Sequence, residues 1–244
     1  MNTFWQQTLA EVREFIRMKS TMFWTFMFPA FFILLFGFLN FGTSSNVRYI
    51  NYLLPAMIMM ALITTCITST VLGFVSDREK GYYRRLFATP LKKWVLLGSQ
   101  IVCRFFIVLL QTIFLIVIAM LVFGATMPGK TILFWIVLFF GIVTFLCIGF
   151  LIASIVRKVE TAMPVAMIVF FIMIFLGGAF WPINIMPLFL QKVSKILPST
   201  YLNDALFQST VLNVNVSALG QHFLVLAIWG GVCITLAIIL FKWE

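Results

Sequence analysis

"SDREKGYYRRLFATPLKKW", residues 76–94, gathers Asp77, Arg78, Glu79, Lys80, Arg84, Arg85, Lys92 and Lys93 into one short stretch of a 244-residue chain that has only 24 charged side chains. A third of the charge is therefore concentrated in one place. On either side the chain turns apolar: residues 53–75 before the stretch and 96–123 after it are each long enough, at about 20 residues, to cross a hydrocarbon layer of roughly 30 Å as a helix. Residues 22–41, 131–156, 161–180 and 221–241 form four more such runs. The composition agrees, at 63% hydrophobic, 17% aromatic and 10% charged, where soluble domains carry about a quarter charged residues. The expected fold is an all-α membrane protein, a single transmembrane domain over residues 1–244 with six spans.

The net charge of +10 invites a nucleic-acid reading, but its distribution follows topology instead. With loops assigned alternately to the two sides, Arg13, Arg17, Lys19, Arg78, Lys80, Arg84, Arg85, Lys92, Lys93, Arg157, Lys158 and Lys242 fall together, and Arg104 snorkels toward them from the third run. Arg48, Lys130, Lys192 and Lys195 fall opposite. By the positive-inside rule both termini are expected to face the cytoplasm of a multi-pass protein in the cell membrane.

The first run is too long for a signal-peptide core, and no small-x-small cleavage site follows it, so it is expected to remain as a span. Cys66, Cys103, Cys147 and Cys233 occur singly in apolar runs, which suits packing better than a disulfide framework or thiol chemistry. Ahead of the first run, Trp5, Leu9, Val12 and Ile16 recur at helical spacing among polar and charged residues. The pattern predicts an interfacial helix over residues 4–20. Residues 181–218 follow Gly177-Gly178 and contain Pro182, Pro187 and Pro198, so the backbone there must break. Phe189, Val193, Ile196 and Leu197 can share one face, and the segment is expected to form an external re-entrant or interfacial helical pair. No internal repeat of the kind found in many secondary transporters is evident.

Several motifs lack the surroundings their chemistry needs. Residues 124–131, Gly-Ala-Thr-Met-Pro-Gly-Lys-Thr, satisfy the phosphate-loop pattern letter for letter, yet they join two membrane-length runs and lack the strand that should precede the loop. His222 is the sole histidine, and no metal-ligand or serine-nucleophile pattern accompanies it. Asn215-Val216-Ser217 formally fits a glycosylation acceptor. None of the seven acidic residues lies mid-span, whereas ion-coupled pumps bury carboxylates along their path. The energy for any transport is expected to come from outside the chain, which is read as a non-enzyme with no metal site.

The opening stretch itself has helical character. Asp77 and Glu79 are expected to open a helix at the end that favours negative charge, Arg84 and Arg85 come later, and Thr89-Pro90 stops it. Leu86 with Tyr82, Tyr83 or Phe87 offers an apolar contact. A solvated charged loop is the plainer reading, but aromatics, mixed charge and a firm stop together suit a docking element for a cytoplasmic partner.

The segment "DREKGYYRRLFATPLKKW" resembles the signature after the second span of ABC type-2 export permeases, where an acidic-basic pair, a glycine, an Arg-Leu step and Ala-Thr-Pro-Leu follow in that order. Residues 177–206, "GGAFWPINIMPLFLQKVSKILPSTYLNDAL", are similar to the same family's stretch between its fifth and sixth spans. The resemblance implies a permease subunit that pairs with a second copy or a sister permease and docks separate ABC ATPase subunits. ATP and Mg would be bound on those partners, with no cofactor on this chain. It further implies a coupling helix over residues 77–91, carrying Asp77, Arg78, Glu79, Lys80, Gly81, Arg84, Arg85, Leu86, Thr89 and Pro90. Arg157, Lys158 and Glu160 would make a second, smaller contact. Tyr82-Tyr83 departs from the small or aliphatic residues usual after that glycine.

For a substrate path, Thr65, Thr68 and Ser69 form one stripe of the second span, and Phe170, Phe171 and Phe175 lie on the fifth. Such an apolar, uncharged lining suits an amphipathic drug, antibiotic or lipid-like compound. Glycolipid or polysaccharide export, or a non-transporting immunity or binding protein, are the alternatives. An enzyme would need a nucleophile-base pair or a metal cluster.

Overall fold

The computed structural model describes residues 3–17, 19–39, 46–82, 93–125, 131–181, 183–212 and 214–240, and no strand occurs among them. The helices are α1 (Thr3–Arg17), α2 (Lys19–Leu39), α3 (Asn46–Ile63), α4 (Thr70–Glu79), α5 (Lys93–Phe123), α6 (Thr131–Ile155), α7 (Val159–Leu176), α8 (Leu188–Ser194), α9 (Pro198–Phe207) and α10 (Gly220–Leu240). A π-helical segment, Thr64–Ser69, joins α3 to α4 without a break. Among the described residues, six helices are long and apolar enough to cross a membrane. They are α2, α3–α4, α5, α6, α7 and α10, called spans one to six below.

Span two is the axis of the bundle. Inside the protein, 78% of its most apolar stretch is buried, against 22% for span six and 28% for spans one and five. Its residues Met57, Ile58, Met59, Ala61, Leu62 and Ile63 are buried on every side, as expected of a helix apolar all round. Phe31, Phe38, Ile168, Phe171, Leu224 and Ile238 on spans one, five and six point away from the protein. Spans four and six pack extensively together, and Thr144 donates to the Leu226 carbonyl across that contact at 3.0 Å.

Proline placement inside the spans has an answer in the packing. Pro29 lies within span one, where its missing N–H leaves the carbonyl four residues earlier, that of Thr25, without its helical donor. In lipid such a group must find another partner. Gln111 of span three supplies it, donating Nε2 to the Thr25 carbonyl at 2.6 Å, while its Oε1 accepts from Thr65 of span two at 2.8 Å. One buried amide thus ties three spans together.

Span four meets the π segment at close range. A Cβ placed on Gly149 would collide with the carbonyl oxygen of Cys66, so only glycine permits this approach. Cys66, Cys103 and Cys233 are buried and Cys147 partly so, and none of the four is in a disulfide.

Several boundaries differ from the sequence expectation; span two begins at Asn46 rather than near residue 53. Span five ends at Leu176 rather than near residue 180, because Gly177 and Gly178 turn the chain. Asp77 and Glu79 do not open a separate helix, as the sequence reading had it: they form the last turn of α4. The apolar face of α4, with Val71, Phe74 and Val75 buried, runs on into that turn. Lys80 then caps the helix, and Gly81 turns the chain at φ +66°, a left-handed conformation that favours glycine and commonly ends helices.

Between spans five and six the chain forms two short helices, α8 and α9, followed by a π-helical segment, Gln208–Leu212, and a 3-10 turn, Val216–Leu219. The buried side of the two helices comes from Leu202, Ala205 and Leu206 on α9, while Phe189 and Ile196 of the expected apolar face are exposed. They also complete the end of span five. Ser194 donates to the Leu176 carbonyl at 2.5 Å, and Asn203 Nδ2 donates to the carbonyls of Gly177 and Gly178 at 3.2 and 3.1 Å. These are carbonyls that a helix end leaves without internal donors.

Candidate functional site: the basic end of the bundle

The candidate site begins where span two leaves the apolar layer. Two neighbouring side chains of opposite charge reach across to the connector between spans four and five. Arg78 donates from Nη1 to the carbonyl of Val156 at 3.2 Å, and Glu79 Oε2 accepts the backbone N–H of Val159 at 3.1 Å. Val156 is the first residue past α6, and Val159 is the first residue of α7. A cation therefore meets the carbonyl end of one helix and an anion meets the N–H end of the next, both with the sign the helix dipoles favour. Lys158, the residue before α7, makes no side-chain capping bond of its own, so Glu79 acts as the cap from another helix.

The same end is braced by α1. Gln7 Nε2 donates to the Tyr82 hydroxyl at 3.2 Å, and Gln100 Nε2 of span three donates to Glu11 at 3.3 Å. Phe4 lies against Gly98, close enough that a Cβ there would press on its ring. Trp5, Leu9 and Ile16 of α1 are about half exposed.

The expected coupling residues fall into three groups. Asp77, Arg78, Glu79, Lys80 and Gly81 lie at the end of α4 and in the turn after it. Arg157, Lys158 and Glu160 are exposed beside the Arg78–Glu79 clasp. Arg84, Arg85, Leu86, Thr89 and Pro90 lie outside the described residues.

The expected path residues are dispersed in character. Thr65 is buried with its hydroxyl bonded to Gln111. Thr68 is buried with no partner for its Oγ1, and Ser69 is half-buried at the end of the π segment. Phe170 packs inward, whereas Phe171 and Phe175 are exposed and stacked on one another, with Phe175 also stacked on Trp181. Sequence reasoning did not find the Gln111 bridge or the pairing of His222 Nε2 with Asp204 at 2.8 Å. A proline inside a span was the available signal for the first. Among the described residues there is no cluster of three metal-ligating side chains.

These features define a six-span helical membrane protein whose central helix is clamped, at the charge-rich end, to the connector between two others. The chain belongs to the ABC-2 type transporter family, whose model matches residues 2–211. It is 25% identical to "Putative transport permease YvfS" of Bacillus subtilis (strain 168) over 210 residues, 85% of each chain. "ABC transporter G family member 20" of Dictyostelium discoideum is 22% identical over 178 residues, 73% of this chain but 24% of that protein. "Probable multidrug ABC transporter permease YbhR" of Escherichia coli (strain K12) is 23% identical over 159 residues, 65% of this chain and 43% of the relative.

Proposed function

We propose that this chain is the membrane-spanning permease subunit of an ATP-driven exporter that moves an amphipathic drug, antibiotic or lipid-like compound out of the cytoplasm or inner leaflet. The basic end faces the cytoplasm, in line with the positive-inside bias. Separate ATPase subunits, which bind the ATP and Mg, dock on residues 77–91 and on Arg157, Lys158 and Glu160. A second permease copy or a sister permease completes the pathway.

The observation that carries this reading is the clasp of Arg78 and Glu79 on the connector 156–159. A force applied to residues 77–91 reaches span two directly and spans four and five through two hydrogen bonds. Motion of the ATPase is thereby converted into rigid-body motion of three spans at once, which is what alternating access requires of a coupling element. Docking must be tighter in one state than the other for that motion to be driven. The multidrug name of the Escherichia coli relative is what supports a drug-like cargo; Thr65, Thr68, Ser69, Phe170, Phe171 and Phe175 remain the proposed path residues.

The test is transport in sealed vesicles that contain this chain and its partner ATPase, screened over amphipathic antibiotics. Accumulation that requires both subunits and hydrolysable ATP supports the reading. Accumulation independent of ATP, or hydrolysis of ATP by this chain alone, overturns it.

A further inference from the structure

Span two changes partners halfway along. It runs without a break from Tyr49 to Glu79, yet α3 packs chiefly on spans one and three, whereas α4 packs on spans four and five. The π segment Thr64–Ser69 lies at the change. A π turn closes its hydrogen bonds over five residues rather than four, so it holds one residue more than an α turn. Such turns are rare, and they recur at functional sites.

Two successive residues mark the boundary. Thr65 is bonded to Gln111 of span three, which in turn holds the Thr25 carbonyl of span one. The carbonyl of Cys66 lies against Gly149 of span four. Further on, the Arg78–Glu79 clasp ties α4 to the connector between spans four and five. Each group of spans therefore grips one half of span two, with a single wide turn between the halves.

The hydroxyls of the segment point to a second arrangement. A threonine in an α-helix can donate to the carbonyl four residues earlier, and Thr64 does so to Met60 at 2.8 Å, where α3 ends. Thr68 and Thr70 are buried, and neither hydroxyl has a partner among the described residues. Were the segment wound as α-helix, the carbonyls of Thr64 and Cys66 would come within their reach. Rewinding turns the two halves of the span against each other, so it gives up the Thr65–Gln111 bond. One buried hydrogen bond lost against two gained sets two windings close in free energy, which is the condition for a switching element.

We propose that the π segment is a hinge: as it rewinds from π to α, α4 with spans four and five swivels against α3 with spans one and three. The inference rests on the proposed function only for the source of the force, the partner ATPase acting on residues 77–91.

The test is amide hydrogen exchange, read by mass spectrometry on the full chain in lipid nanodiscs. In the chain alone, residues 64–70 should exchange about ten-fold faster than residues 57–63 of α3, as a locally opening segment does. Equal rates overturn the hinge, whether or not an ATPase binds. In the complex with the partner ATPase, a non-hydrolysable ATP analogue should change the rate at residues 64–70 several-fold and leave residues 57–63 unaltered. No response in an assembled complex overturns the hinge, whereas failure of the complex to assemble counts against the proposed function and leaves the first comparison to decide. Deleting Ile67 removes the extra residue, so the span should become α-helical with the faces of α3 and α4 still in phase. That variant should fold and bind the ATPase but lose both the fast exchange and the nucleotide response, and persistence of either contradicts the proposal. If it does not fold, Thr65→Val serves: it frees the segment from Gln111 and should speed exchange at residues 64–70 by about five-fold, the effect of one hydrogen bond. An unaltered rate in Thr65→Val is the contrary result.

Discussion

Glu79, the last residue of α4, caps α7 through the backbone N–H of Val159 at 3.1 Å, although 80 positions separate the two in the chain. Replacing Glu79 by Ala removes the acceptor and leaves the first turn of α7 without it, at a cost of about 1 kcal/mol for a lost cap. Hydrogen exchange at Val159 should accelerate several-fold, with Glu79→Gln intermediate because its amide oxygen still accepts. Unchanged exchange in Glu79→Ala would show that the clasp does not hold the connector.

Gln111 satisfies a carbonyl that Pro29 deprives of its helical donor. Gln111→Leu should destabilise the protein by about 1–2 kcal/mol, since it strands both the Thr25 carbonyl and the Thr65 hydroxyl in an apolar interior. Pro29→Ala restores an N–H four residues after Thr25 and should reduce the penalty of Gln111→Leu. A double-mutant cycle read by thermal unfolding in detergent measures this coupling, and strictly additive effects would contradict it.

The contact between Gly149 and the π segment leaves no room for a methyl group. Gly149→Ala must push span four away from Cys66 or distort the segment, and overpacking of this kind costs about 1–3 kcal/mol. A lower unfolding midpoint should follow. A comparable change at Gly231, where an added Cβ meets nothing, should be tolerated.

Asp204 links α9 to span six, accepting from Gln208 at 2.9 Å and pairing with His222 at 2.8 Å. Because Asp204 is half exposed, its replacement by Ala should cost about 1 kcal/mol or less. The effect should appear locally, as faster exchange in α9 with the global midpoint nearly unchanged. A large global loss would mean that α9 is part of the cooperative core.

The number and order of the spans were legible in the sequence because lipid permits few solutions: a chain segment crossing it must bond its own backbone. Helix ends were less legible. Asp77 and Glu79 carry the charge pattern of a helix start, yet the decisive residue is Gly81, which stops the preceding helix; charge near a terminus does not reveal which of two helices owns it. Two short helices do begin after Pro187 and at Pro198, but the buried residues lie on the second of them, Leu202, Ala205 and Leu206, rather than at Phe189 and Ile196. Leu202 and Leu206 are covered by neighbouring spans, a fact that local periodicity does not contain. The Arg78–Glu79 clasp was invisible for the same reason, and for the Gln111 bridge Pro29 signalled an unsatisfied carbonyl without naming its donor. Each joins groups far apart in sequence and involves backbone atoms, which every residue has.

The most direct measurement of the central claim is co-purification of the tagged chain with its ATPase subunit, comparing the wild type with Arg84→Glu/Arg85→Glu. The wild type should bring down the ATPase, and the double charge reversal should lose most of it while still inserting into the membrane. Full retention of the ATPase by the reversed variant would contradict docking on the loop after Gly81.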